Sequence, residues 1–280
     1  MNKLNKKITP GQIGLFTFLG LFALAQLFPL VWLFNYSLHK SGNLFGKKVF
    51  ELPDPPQWGN YVRAWTDGRI VQYFSNTLIV VFFSITLIMA FSFMLAYACA
   101  RMKWKLRSAI YSIVLLGMVI PIHTTLLPNF MWFKQFGLID TRIGIIIPYI
   151  AFNMAFSVLM FTGFLQSVPY AMEESAYMEG AGLGRILISI IAPMAKSGFV
   201  TVGIMAFLNC WNEFIMANTF LASEPKRTLP FAIIRFEGQY SSDYAVQFAC
   251  MILVAIIPII IYFTFSKRVI AGVTAGSVKG

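Results

Sequence analysis

Few residues in this chain could do chemistry, and their types and spacing decide what kind. Asn209, Trp211, Asn212 and Glu213, with Asn218 beyond them, set amides, an indole and a carboxylate into an otherwise apolar stretch. Asn209, Asn212 and Glu213 stand at helical offsets that bring them to one side. A carboxylate within such a stretch is costly, so Glu213 should face a cavity or a partner. Two readings stay open for this group: a pathway for a polar small molecule, or hydrogen bonds that fix a helix bundle. Enzymatic chemistry finds no footing. His39 and His123 stand alone and read as polar packing or interface residues. Cys99, Cys210 and Cys250 lie in or beside apolar segments without metal-ligand spacing, and read as packing residues. Neither a nucleophile elbow nor a His-Glu-x-x-His helix occurs. The stretch nearest to a phosphate loop, Gly42-Asn43-Leu44-Phe45-Gly46-Lys47-Lys48, is one residue too short and lacks Ser or Thr after Lys. The chain is expected not to be an enzyme.

The elements that must position these residues follow from composition. Of 280 residues, 58% are hydrophobic and only 12% charged, against about 25% charged in ordinary soluble domains. So few charges cannot face water around a compact fold, and lipid is the expected solvent. The formal charge is +11, yet the basic residues fall in short groups between apolar runs. That is the pattern of loops beside a membrane and not of a nucleic-acid-binding face.

The apolar runs predict six transmembrane helices at 12–38, 73–100, 108–133, 142–165, 196–221 and 244–265. Each is long enough to cross about 30 Å of hydrocarbon at about 1.5 Å per residue. Orientation follows from Lys3, Lys6 and Lys7 before the first run and from Arg101, Lys103, Lys105 and Arg107 between the second and third. Both groups belong in the cytoplasm, and so do both termini. Ala23-Leu24-Ala25 could pass for a cleavage site after a signal peptide, but the run stays apolar through Phe34. An uncleaved first helix is expected. Pro121, His123 and Pro128 should kink the third span. The expected organisation is a cytoplasmic tail over 1–11, a helical membrane domain over 12–265 and a second cytoplasmic tail over 266–280. The Gly and Ser content of that last tail suggests disorder until bound.

One internal segment, 166–195, is longer and more apolar than a simple connection needs. Ser167 can cap and Pro169 suits a first turn, while Glu173 and Glu174 favour the positive end of a helix dipole. Gly180, Gly182 and Gly184 should stop that helix, and an apolar helix should resume from Leu183 until Pro193. Ala176, Tyr177, Met178, Ile186 and Leu187 need a cover, which a membrane surface or a partner can supply.

Within it, Glu174-Ser175-Ala176-Tyr177-Met178-Glu179-Gly180-Ala181, followed by Ile190 and Pro193, resembles the EAA loop of binding-protein-dependent ABC importer permeases. That pattern is Glu-Ala-Ala, then Gly, then an aliphatic residue and Pro, and Ser175 is a small-for-small departure from it. Trp211-Asn212-Glu213-Phe214 is similar to the fifth-helix motif of maltose-type carbohydrate permeases. Gly272-Val273-Thr274-Ala275-Gly276-Ser277-Val278-Lys279-Gly280 resembles the tail of the same subfamily. The resemblance spans essentially the whole chain.

It implies an all-α membrane protein with the fold of type I ABC importer permeases, in the cytoplasmic membrane. The implied function is import of a carbohydrate, an oligosaccharide more than a monosaccharide, driven by ATP. The implied partners are a second homologous permease, cytoplasmic ATP-binding subunits that hold ATP and Mg, an extracellular or periplasmic sugar-binding protein, and membrane lipid. No cofactor is expected on this chain itself. Coupling to the ATPase would fall to Glu173, Glu174, Ser175, Ala176, Gly180, Ala181 and Pro193. Glu174 would contact the ATPase, Ala176 would pack into its groove and Gly180 would shape the turn. Asn209, Trp211, Asn212 and Glu213 become candidates for the sugar pathway, since aromatic faces and polar groups in an apolar cleft suit sugars. Lys226, Arg227, Arg235 and Glu237, in the loop before the last span, become candidates for binding-protein contact. The rival class is an ion-coupled secondary transporter, which calls for buried ionisable groups in both halves and a half-to-half repeat. Only Glu213 is clearly buried here, and no repeat is evident.

Overall fold

An apolar run that crosses lipid has to satisfy its own backbone, which in a chain without alternating polarity leaves helix. The computed structural model describes residues 9–40, 51–238 and 243–277, with side chains through 265. Every regular element among them is helical. In chain order these are α1 (Pro10–Ser37), α2 (Gly59–Thr66), α3 (Ile70–Ala100), α4 (Arg107–Leu116), α5 (Leu126–Gln135), α6 (Arg142–Gln166) and α7 (Ala171–Met178). Next comes a run of α8 (Leu183–Arg185), a π-helical turn (Ile186–Ile191) and α9 (Ala192–Met194). The remaining α-helices are α10 (Lys196–Asn212), α11 (Ile215–Phe220), α12 (Phe231–Ile234) and α13 (Tyr244–Ser277), with short 3-10 turns at Ile122–Thr125 and Glu224–Lys226. Lys3, Lys6 and Lys7, the stretch 42–48 and residues 278–280 lie outside the described residues.

Among the described residues, four helices are long and apolar enough to cross a membrane: α1, α3, α6 and the Tyr244–Phe265 part of α13. Two of the six expected spans differ from one straight helix. In the third, α4 ends at Leu116, and the N–H groups of Gly117, Met118 and Val119 each turn back to a carbonyl three residues earlier. Pro121 then adopts an extended backbone, a short 3-10 turn covers Ile122–Thr125, and α5 begins at Leu126. The break therefore falls before Pro121, which has no N–H to continue the ladder, while Pro128 sits harmlessly in the first turn of α5. The fifth expected span, 196–221, breaks at Glu213, whose ψ is 125°. The tail expected from 266 also differs, since the backbone of α13 stays helical through Ser277.

The chain divides into two compact units, residues 1–70 with 232–254, and 71–231 with 255–280. In the first, α1 starts with Pro10 at a position that needs no N–H. It continues through Ala25 to Ser37 as one helix and leaves most of its apolar side chains uncovered. Buried Asn60 closes its C-terminal end by donating to the carbonyls of Ser37 (2.9 Å) and His39 (2.8 Å). His39 is buried with its Nε2 3.2 Å from the Glu51 carbonyl oxygen, a packing position.

In the second unit the core is aromatic. Phe93 of α3, Phe161 of α6 and Phe199 of α10 meet with ring centroids 4.8 to 5.3 Å apart, a spacing at which such pairs attract. Helices α6 and α10 come so close at Gly198 that a Cβ there would lie 2.7 Å from Phe164 Cδ2. Around the trio pack Tyr97, Val158, Leu165, Ala176, Ile186 and Ile191, all buried.

Candidate functional site

The segment 166–195 folds as two short helical pieces around a glycine turn. Helix α7 carries Glu173 and Glu174 in its first turn. It ends in a Schellman motif, with the Gly180 N–H on the Tyr177 carbonyl (3.0 Å) and the Ala181 N–H on the Ala176 carbonyl (2.9 Å). Gly180 takes φ +80°, which L residues avoid. The run from Leu183 to Met194 then turns through 81° into α10, with Pro193 just before the bend.

One face of α7 is buried and the other is not. Glu173 and Ala176 are buried, whereas Glu174, Ser175, Tyr177 and Met178 are exposed, Met178 at 89%. The expectation that Ala176 packs into a partner's groove is corrected: its side chain lies in this protein's own core beside Ile186 and Ile191. The reason is helical spacing, since Glu173 and Ala176 are three apart and share a face.

Glu173 meets Arg101, the residue directly after α3. Arg101 Nη1 lies 3.5 Å from Glu173 Oε1, and the Tyr97 hydroxyl donates to Glu173 Oε2 at 2.9 Å. Arg101 Nη2 also donates to the carbonyls of Leu165 and Val168, at and just past the end of α6. There a cation satisfies carbonyls that have no partner within the helix. The Tyr170 ring covers the guanidinium, 4.1 Å from its carbon. Arg101 thus joins the ends of α3 and α6 to α7. In the sequence it is only one positive charge among several. Its neighbours Lys103, Lys105 and Arg107 are exposed, and nothing in the run itself marks Arg101 as the buried one.

At Glu213 the carboxylate starts α11. It accepts the N–H groups of Met216 (2.7 Å) and Ala217 (3.1 Å), which a new helix leaves without partners. It also accepts the Tyr149 hydroxyl of α6 at 2.7 Å. Beside it Asn209 Nδ2 donates to Asn153 Oδ1 (2.9 Å), and Asn153 Nδ2 donates to the Tyr149 carbonyl (2.8 Å). Tyr149, Asn153, Asn209, Cys210 and Glu213 line a cavity of about 310 Å³ together with Met118, Ile120 and Ile122 from the break after α4. Two of the four residues singled out from sequence, Asn209 and Glu213, reach this cavity. Trp211 is buried against Phe74 and Phe207, and Asn212 donates back to the Leu208 carbonyl. Tyr149 and Asn153 were missed, although a Tyr and an Asn four apart in an apolar span were a legible sign.

The loop after α11 is tied down. Asp140, at φ +58°, accepts the N–H and hydroxyl of Ser223 (2.9 Å each) and the Lys226 ammonium (2.8 Å). Asn76 donates to the carbonyls of Pro225 (2.7 Å) and Arg227 (2.9 Å). Partial burial raises the Asp140 carboxyl, but Lys226 and Ser223 outweigh it and hold it at about 2. Arg227 lies with its guanidinium carbon 4.8 Å from the Phe231 ring centroid. In the other unit Arg235 donates to the Asp67 carbonyl (2.5 Å), and Glu237 accepts from Gln247 (3.0 Å).

Comparison with known proteins accounts for this architecture. The model of the family described as binding-protein-dependent transport system inner membrane component matches residues 88–273. A putative ABC transporter permease, ORF2 of a Caldicellulosiruptor species, is 32% identical over 95% of this chain and 96% of its own. The diacetylchitobiose uptake system permease NgcG of Streptomyces coelicolor is 31% identical over 92% of this chain and 86% of its own. A solved bacterial ABC transporter that imports the acidic polysaccharide alginate has a chain of the same fold, with a TM-score of 0.80 at 23% identity over 94% of this chain and 99% of that one. The protein is a multi-pass cell-membrane protein, and it belongs to the family of binding-protein-dependent transport system inner membrane components.

Proposed function

We propose that this chain is one of the two permease subunits of an ATP-driven importer of a carbohydrate, most naturally an oligosaccharide. The family supports the importer reading, and relatives named for sugar uptake support the substrate class. The observation that carries it is the uncovered face of α7, where Tyr177 and Met178 stand exposed on a helix that Arg101 and Glu173 lock from behind. Exposed apolar side chains on a rigid support call for a protein partner.

The partner that fits is a cytoplasmic ATP-binding subunit, which binds ATP and Mg and hydrolyses the nucleotide, so that this chain is not itself an enzyme and needs no cofactor. Glu174, Ser175, Tyr177 and Met178 make the contact. Gly180, Ala181 and Pro193 shape the elbow, while Glu173 and Ala176 act from inside by anchoring α7. When the ATPase pair closes, α7 moves as a unit, and Arg101 hands the displacement to the ends of α3 and α6. A stiff link of this kind transmits a rigid-body shift that a loose loop would absorb. The same motion reshapes the cavity at Glu213, so that the sugar's access alternates. A second homologous permease completes the pathway, and an extracellular or periplasmic sugar-binding protein delivers to the loop that contains Lys226 and Arg227, with Arg235 and Glu237 following.

The test is sugar uptake into vesicles holding the full assembly. Uptake that requires ATP, and stops when the ATP-binding subunits are left out, is the expected result. Uptake driven by a proton gradient without ATP would overturn the proposal in favour of an ion-coupled secondary transporter.

A further inference from the structure

The cavity between α6, α10 and the break after α4 has a chemical character of its own. Of its described lining residues none is Lys, Arg or His, and its ionisable groups, Tyr149, Cys210 and Glu213, are neutral or negative in every state. Glu213 is also occupied. Its two oxygens accept three donors from Tyr149, Met216 and Ala217, so most of its acceptor capacity goes to holding the break in shape.

The free polar capacity of this wall lies in the amide pair. Asn209 gives one N–H to Asn153, and it retains a second N–H and its carbonyl oxygen. Asn153 accepts that N–H and uses its own amide nitrogen on the Tyr149 carbonyl. An amide that offers one donor and one acceptor is matched to a hydroxyl, which both donates and accepts. To an anion brought out of water it offers a single N–H and no cation, whereas the Glu213 carboxylate beside it takes three donors, and an under-compensated buried charge is expensive. The remaining walls, Met118, Ile120, Ile122 and Phe152, suit the C–H faces of a sugar ring.

We propose that this cavity is a subsite for an uncharged saccharide, read through the exposed amide of Asn209 with Asn153 as its support, and that it rejects uronate or sulfonate sugars. Glu213 is a positioning residue here and not a ligand. The inference rests on the importer reading above and deepens it. It also sets this chain apart from its fold relative in the alginate transporter, whose stated cargo is acidic.

The experiment uses the assembled permease pair with its ATP-binding subunits, purified without the binding protein so that the binding protein's own selectivity does not enter. Equilibrium binding is measured for tritiated maltotriose, cellotriose, raffinose, arabinotriose and diacetylchitobiose as neutral probes, and for trigalacturonate as the anionic one. At least one neutral probe should bind, and trigalacturonate should bind at least tenfold more weakly than the best of them. N209A should raise the Kd of that best probe about tenfold, the effect of losing one or two hydrogen bonds, while co-purification with the partner subunits reports that the variant folds. Met118→Arg, which adds the missing cation, should narrow or reverse the preference against trigalacturonate. Trigalacturonate binding as tightly as every neutral probe, binding of none, or an N209A Kd equal to wild type overturns the subsite. Failure of ATP-dependent uptake for any sugar instead overturns the importer reading.

Discussion

Arg101 and Glu173 come within 3.5 Å of each other from elements 72 positions apart in sequence, with side chains 1% and 8% exposed. The pair links the end of one long apolar helix to the inner face of a short polar one. A buried pair of this kind is weak evidence for net stability, because desolvation offsets attraction. Its worth here is geometric. With Arg101 also on the Leu165 and Val168 carbonyls, α7 has one seat on α3 and α6.

Breaking the pair from one side should therefore cost far more than removing it. Arg101→Ala leaves the Glu173 carboxylate buried with only Tyr97, at an expected cost of about 3–5 kcal/mol. The double variant R101A/E173A should unfold at a higher temperature than R101A alone, as read by thermal melting in detergent. Effects that simply add would mean that the two residues do not act on each other.

Gly180 supplies a second prediction. Its φ of +80° costs an L residue about 1–2 kcal/mol, yet a Cβ there meets nothing within 4 Å, so the penalty lies in the backbone alone. Gly180→Asn should be tolerated better than Gly180→Val, because Asn adopts left-handed geometry more readily. Gly180→Pro cannot keep this φ. It should insert into the membrane at normal levels while sugar uptake falls and ATP hydrolysis continues. Unchanged uptake in that variant counts against a coupling role for α7.

The long elements were legible because an apolar run needs no partner to declare itself. The starts of α3 and α6 fall within three residues of their expected positions, α1 lies within two residues of its expected bounds, and α13 starts where expected although it runs on to Ser277. The glycine stop at Gly180 was legible too, since a positive φ has a residue type attached to it. The breaks were less so. Pro121 announced a disturbance, but the break at Glu213 depends on a side chain that caps α11 and binds Tyr149, a contact across 64 positions. Burial was the least legible property. Arg101, Ala176 and Glu173 owe theirs to how α3, α6 and α7 meet, which no local pattern encodes.

Asp140 gives a pH prediction whose sign follows from its depressed carboxyl. The group sits at about 2 in the folded chain against an ordinary 3.8. Its grip on Ser223 and Lys226 is therefore fully present above about pH 4 and is lost as the pH falls toward 2. Cleavage by pepsin within the 222–230 loop should rise steeply across that interval in the wild-type protein. Asp140→Asn, which loses the charge at every pH, should be cut readily throughout, with little further change. A flat profile for wild type would show that other contacts, such as Asn76 on Pro225 and Arg227, hold the loop unaided.

The two faces of α7 make the coupling proposal testable residue by residue. With Cys99, Cys210 and Cys250 replaced, single cysteines at Glu174, Tyr177 or Met178 should react with water-soluble maleimide in the permease pair without its ATP-binding subunits, and should be shielded when those subunits are present. A cysteine at Ala176, buried in the core, should stay unreactive in both cases. With a short bifunctional reagent, the outward positions should capture the ATP-binding subunit and Ala176→Cys should not. Capture from Ala176→Cys but from none of the other three would mean that α7 is turned over in the assembly. Its seat on Arg101 would then have to open before the partner could bind.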